Sequence, residues 1–313
     1  FSAAYLNPRF SQNHRFSRGE ALLLAADGEP PDTGLSAVQE AYLNSILGEA
    51  LHKCNALMRD DEQISSPKLL KLFDQCQKSV QLQQSSIPNA GNGLFASQYI
   101  SPNTIVSFYP VHAVGVNING ASIMHADEDD AQWMMSDNHN GCNYLLYLLG
   151  DRSFPGNIPL VQTFGAHPFI DTHPYQTPIP GWFAHFVNDA AIIHENTEKG
   201  LMDYMQKSYK LQNCVLIPFG PAPLCVAITT REVRETEELF CSYGCGYWQD
   251  AMNFDNNNNN NNNGDESTKI KVSDQVQSLQ RDAFEDMVQL IDFADDAYSE
   301  EAVLLQKVFD SIE

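Results

Sequence analysis

The uninterrupted asparagine tract Asn256–Asn263 does more than any other segment to limit what this 313-residue chain can fold into. Asparagine offers no apolar surface to bury and competes with the backbone for hydrogen bonds, so the tract predicts a disordered linker over 250–272. A globular body must therefore close before it. Beyond it, Val276, Leu279, Ala283, Met287, Leu290, Ile291 and Ala294, and later Leu304, Val308 and Ile312, recur at helical spacing among acidic residues. That pattern predicts an acidic amphipathic helical region over 273–313, docked on the body or waiting for a partner.

Upstream, Leu35, Val38, Tyr42, Ile46, Ala50, Leu51, Cys54 and Leu57 keep the period of a helix, and Ser36 and Gln39 stand as a capping box at its start. A second helix begins at Ser66-Pro67, carries Leu69, Phe73, Cys76 and Val80 on one face, and cannot pass Pro88. Together they predict a helical hairpin over 35–84. Residues 1–34 read as a disordered leader. Before Glu20 it holds Arg9, Arg15, Arg18, several serines and no acid, a composition similar to an organellar transit segment. From Ile87 onward, short β-type runs alternate with turn residues such as Asn92-Gly93, Ser101-Pro102-Asn103 and Pro218–Pro221, which predicts a β-rich domain over 85–249. Within it, 117–180 is poor in regular pattern apart from 143–149 and reads as an insert between strands.

With 43% hydrophobic and 10% aromatic residues there is enough material for a packed core. The formal charge of −22 argues against nucleic-acid binding, because phosphate repels an acidic surface and no Lys/Arg cluster is present. A basic protein segment is the better partner, although residues 250–313, with 15 acidic and 4 basic residues, supply half of that charge. Cys54, Cys76, Cys142, Cys214, Cys225, Cys241 and Cys245 are odd in number and contain no C-x-x-C pair, which suits a reducing compartment and predicts no structural zinc. His167, Asp171 and His173 are close enough in sequence to ligate a metal, but the prolines among them read as a loop. No apolar run has the length of a membrane span.

Chemistry concentrates in Glu238–Trp248. There Tyr243 follows a short β-type run, precedes Gly244, and is followed by Tyr247 and Trp248. Such an order can wall a narrow apolar channel around one oxygen; it can equally be an aromatic cluster at a strand end. Two other segments stand upstream, Asn89–Ala96 with its Gly91-Asn92-Gly93, and Ala184–Ala191 with Phe186-Val187-Asn188-Asp189.

In order and spacing the three segments resemble the signature blocks of SET-domain protein methyltransferases, with helper strands at Thr104–Val111 and Leu224–Thr230. Each block is short, and their succession over residues 85–249 carries the resemblance. It implies an α+β fold, a β-rich SET-type domain of short strands and irregular loops flanked by N-terminal and C-terminal helices. It also implies an enzyme that transfers a methyl group from S-adenosyl-L-methionine to a protein lysine, with a catalytically inactive SET-like binding module as the alternative. By position, Tyr243 would orient the reaction; Asn92, Gly93, Leu94, Phe186, Val187, Asn188 and Asp189 would meet the cofactor; Tyr247 and Trp248 would wall the lysine channel. The partner would be a protein with an accessible lysine, in the nucleus, the cytoplasm or an organelle. The chain departs from the family twice: Asp189-Ala190-Ala191 stands where His-Ser-Cys is common, and Thr236 replaces the usual glycine before Glu237-Glu238. Asp189 either preserves a local hydrogen bond or marks a weakened cofactor site.

Overall fold

Helix α1 (Ala37–Arg59) begins where its capping residues place it. The Ser36 N–H donates to Gln39 Oε1 at 3.0 Å, and the Gln39 N–H returns a 3.4 Å bond to Ser36 Oγ, so two orphan donors of the first turn are satisfied reciprocally. This is a computed structural model that describes residues 14–17, 33–59, 64–119, 121–126, 146–148, 152–173, 177–195, 197–248 and 274–312. The asparagine tract and most of the N-terminal leader lie outside those residues.

Leu43, Leu47, Ala50 and Cys54 bury one face of α1 against β5 (Ala113–Ile118) and β6 (Ala121–Ala126). Helix α2 (Pro67–Ser79) takes its first turn from Pro67, since the Ser66 side chain makes no capping bond. It packs on β4 (Ile105–Phe108), where Phe73 stacks on Phe108 with centroids 4.8 Å apart. The two helices thus find their apolar partners chiefly in sheets. The helical run also stops earlier than Pro88 requires. Residues Val80–Gln84 are strand β2, antiparallel to β3 (Asn92–Ala96), with Val80 opposite Ala96 and Leu82 opposite Leu94. Pairing with β3 decides the conformation of a segment whose glutamines suit either period.

The remaining strands form a five-stranded sheet, β1-β6-β5-β10-β7, and a three-stranded sheet, β11-β12-β4. Here β1 is His14–Ser17, β7 Leu146–Tyr147, β10 His167–Asp171, β11 Cys214–Pro218 and β12 Cys225–Thr229. A two-stranded ribbon pairs β8 (Ser153–Phe154) with β9 (Ile158–Pro159). The expected helper strands are present as the shorter β4 and β12, which pair with each other. The insert over 117–180 is more regular than its sequence suggests, because β6 and β10 both flank β5. Residues 14–17 of the leader likewise run parallel to β6.

Two short helices, α3 (Leu160–Phe164) and α5 (residues 244–248), flank α4 (Glu198–Leu211) in the chain. Helices α6 (Asp274–Ala297) and α7 (Ser299–Ser311) return to the body, with Leu305, Phe309 and Ile312 buried. The buried Lys53 of α1 donates to the carbonyls of Phe309 at 3.1 Å and Ile312 at 2.7 Å, which places a cation on the negative end of α7. The architecture is α+β, a β-rich core flanked by N-terminal and C-terminal helices. The six described cysteines are free and buried, and burial raises their thiol pKa values, that of Cys225 to about 12. Among the described residues no helix is long and apolar enough to cross a membrane.

Candidate active site

Segment 236–241 threads between two others and holds them together. On one side the Leu239 N–H donates to the Leu94 carbonyl at 2.7 Å and the Ala96 N–H to the Glu237 carbonyl at 2.9 Å, around an antiparallel bridge between Phe95 and Glu238. On the other, Asn188 and Phe240 form a parallel bridge, and the Cys241 N–H donates to the Asn188 carbonyl at 3.0 Å. Segments distant in the chain therefore meet through backbone hydrogen bonds. Asn213, fully buried, clamps the centre: Oδ1 accepts the Phe240 N–H and Nδ2 donates to the Glu238 carbonyl, both at 2.8 Å.

The Glu238 carboxylate, 4% exposed, accepts from the Ser85 hydroxyl at 2.6 Å, the Ser86 N–H at 2.8 Å and the Ser86 hydroxyl at 2.5 Å. Burying a carboxylate is costly unless donors surround it, and here they do. The same carboxylate explains Gly93. A Cβ at that position would collide with Glu238 Oε1, in a carboxylate that Ser85 holds by that oxygen and Ser86 by the other. Beside it Asn188 Nδ2 donates to the Asn92 carbonyl at 3.1 Å, tying the two blocks through a side chain.

Tyr243 points inward. Its hydroxyl donates to the Val187 carbonyl at 2.9 Å, and its ring meets Tyr247 at 4.9 Å, edge to face, and Trp248 at 6.2 Å, nearly parallel. Burial, helped by Cys241, Tyr247 and Asp189, holds the phenol pKa well above its usual value. The group stays protonated at any physiological pH and can orient a partner but not act as a base.

Asp189 is a hub. Its Oδ2 accepts the Tyr204 hydroxyl at 2.6 Å, the Tyr243 N–H at 2.9 Å and the Trp248 indole N–H at 3.1 Å; Oδ1 accepts the Ala191 N–H at 3.0 Å and the Ser208 hydroxyl at 3.4 Å. Burial raises its pKa, and these donors pull it back toward the ionised form.

Leu94 and Val187 keep their side chains in the core, so they can meet a ligand only through backbone. Phe186 packs on His185 with centroids 3.9 Å apart. Asn92 is exposed, Asn188 half-buried, and a Cβ at Gly91 would meet nothing within 4 Å. An open backbone thus stands beside a side-chain amide. A cavity of about 120 Å³ lies against the same segment, walled by Ser242 and Gly244 together with Tyr204 of α4 and Phe284 and Met287 of α6. Its wall takes the neighbours of Tyr243 rather than the Tyr243 ring.

The metal spacing around β10 has another use. The His173 N–H donates to His112 Nδ1 at 2.9 Å, and the Asp171 carboxylate accepts the Thr172 N–H at 2.8 Å. No group of three or more His, Cys, Asp or Glu among the described residues is arranged to hold a metal. Sequence reasoning missed Tyr204, Ser208, Asn213 and the serine pair at 85 and 86. The one signal available was the helical spacing of Tyr204 and Ser208, which puts both on one face of α4.

Residues 91–244 match the family model described as the SET domain. No curated protein matches the chain. Among solved structures, the SET domain of ATXR5 in complex with dimethylated histone H3 is similar over 54% of this chain and 62% of that one, at 13% identity and a TM-score of 0.31.

Proposed function

On the premise that this chain belongs to the SET-domain family, we propose that it is a protein-lysine N-methyltransferase that uses S-adenosyl-L-methionine. The observation that carries the reading is the convergence of Asn92, Asn188 and Tyr243 through segment 236–241, with the Tyr243 hydroxyl set on the Val187 carbonyl. When bound, S-adenosylmethionine supplies the methyl carbon and a sulfonium charge. The chain's own residues supply alignment. The open backbone of Gly91 and Asn92 and the Asn188 amide hold the amino-acid end, while Phe186 and the Val187 and Asp189 backbone border the rest. Tyr247 and Trp248 line the approach of the lysine.

A free lysine, with a pKa near 10.4, arrives as a cation, and the apolar aromatic wall disfavours that charge, so the ammonium releases its proton to bulk water as it is buried and the neutral amine is the reactive form. The Tyr243 hydroxyl donates a hydrogen bond to the Val187 carbonyl and keeps lone pairs for the amine or the methyl hydrogens. Its role is orientation. The negative charge of the chain draws a basic segment toward the site, which makes a Lys-rich protein the substrate class.

Calorimetric titration with S-adenosylmethionine, followed by methyl transfer to a lysine-containing peptide array, tests the proposal. The enzyme reading expects saturable binding and label on lysine only. Absence of binding overturns it, and binding without turnover supports the inactive module.

A further inference from the structure

We infer that Tyr204, acting through Asp189, is a positioning residue that fixes Tyr243 from outside its own segment. The geometry stands alone; the kinetic consequence rests on the methyltransferase reading above. Helix α4 is capped by Thr197, whose Oγ1 accepts the Gly200 N–H at 3.1 Å, and from this start Tyr204 turns inward to 2% exposure. There the Tyr204 hydroxyl donates to Asp189 Oδ2 at 2.6 Å and accepts the Gly244 N–H at 2.9 Å, with Ser242 Oγ 3.1 Å away. Asp189 Oδ2 in turn accepts the Tyr243 N–H and the Trp248 indole.

The backbone N–H groups of two successive residues, 243 and 244, are therefore held by one Asp–Tyr pair, and the same carboxylate oxygen fixes a wall of the channel. A tyrosine ring swings from its Cα, so the placement of the Tyr243 hydroxyl on the Val187 carbonyl depends on that grip. The pair also accounts for the departure at position 189. A carboxylate is acceptor-only, and it stands where five donors converge, three of them from residues 204, 243 and 248. Asp189 and Tyr204 are one device.

Tyr204→Phe removes a single oxygen, leaving the Gly244 N–H without its acceptor and Asp189 without its shortest bond. In the full chain, kcat is expected to fall about tenfold or more, with KM and the S-adenosylmethionine Kd within about twofold of wild type, because misplacement by a fraction of an ångström acts on the reacting geometry. Asp189→Asn should act alike, and the double variant should be no worse than the worse single one. Tyr209→Phe, exposed on the same helix and bonded to Asp286, is the control expected to change nothing. A second readout needs no turnover: in the cofactor-free protein the Trp248 indole N–H resonance should move in Tyr204→Phe and stay in Tyr209→Phe. A folded Tyr204→Phe with wild-type kcat, or with an unmoved indole resonance, overturns the positioning role. If wild type itself transfers no methyl group, the functional reading fails, and the indole resonance still decides the Asp–Tyr pair.

Discussion

Thr236 adopts φ +67°, the left-handed region, and does so with a branched β-carbon. Such a residue costs of order 1–3 kcal/mol there, which is the physical reason a glycine suits this turn. Thr236→Gly is expected to stabilise the protein by about 1 kcal/mol, the gain being reduced by the greater freedom of glycine in the unfolded chain. Urea unfolding with an unchanged m-value would show it; a loss of stability would mean that the threonine side chain has a role the geometry does not reveal. Gly93→Ala runs the other way. Its new methyl meets a Glu238 carboxylate that three serine donors prevent from moving, so a loss of about 2–3 kcal/mol is expected in the same measurement. At this scale Asn92, Asn188 and Tyr243 stood out in the sequence because their chemistry sits in single residues at motif spacing, and the fold brings their segments together. The surroundings of Asp189 were not, since Tyr204, Ser208 and Trp248 reach it only when the chain closes. The resemblance suggested a cofactor contact for Asp189; its carboxylate faces five protein donors, and only its backbone remains for a ligand.

Elements were legible where local rules decide and opaque where pairing does. The capping box at Ser36 and Gln39 wrote the start of α1 into the sequence. Residues 80–84 became a strand because β3 lies beside them, and β10 hides in an apolar run, Pro168-Phe169-Ile170, with no alternation to announce it. The anchoring of the end of α7 uses a cation the period could not reveal. Lys53, 7% exposed, donates to two carbonyls at the end of α7. Lys53→Met leaves those carbonyls without their charged donor and should cost about 2–3 kcal/mol. Amide hydrogen exchange over 299–311 should quicken in the variant, while exchange in β11 and β12 holds; uniform protection throughout would contradict this account of how α7 is anchored.

The whole molecule carries its acid sensitivity in buried histidines. Burial lowers His112 and His125 from 6.5 to about 4, and His185 to about 3, the last helped by its neighbour His112. In the unfolded chain each binds a proton near pH 6.5, while the folded chain resists until the lower value, so the unfolded state holds more protons in that window. Stability is therefore full above pH 6.5 and lost progressively as pH falls toward 4. The urea midpoint should be lower at pH 5.5 than at pH 7.5, and an equal midpoint would show that these imidazoles are not neutral inside the fold. The charge of −22 makes a second global prediction: added salt should raise KM for a basic peptide while kcat holds, because screening acts on encounter. The most direct test of the central claim is methyl transfer to a lysine peptide by wild type and by Tyr243→Phe at saturating S-adenosylmethionine. The account predicts that the variant binds the cofactor as wild type does and loses most of its kcat. Equal turnover by the two proteins would contradict it.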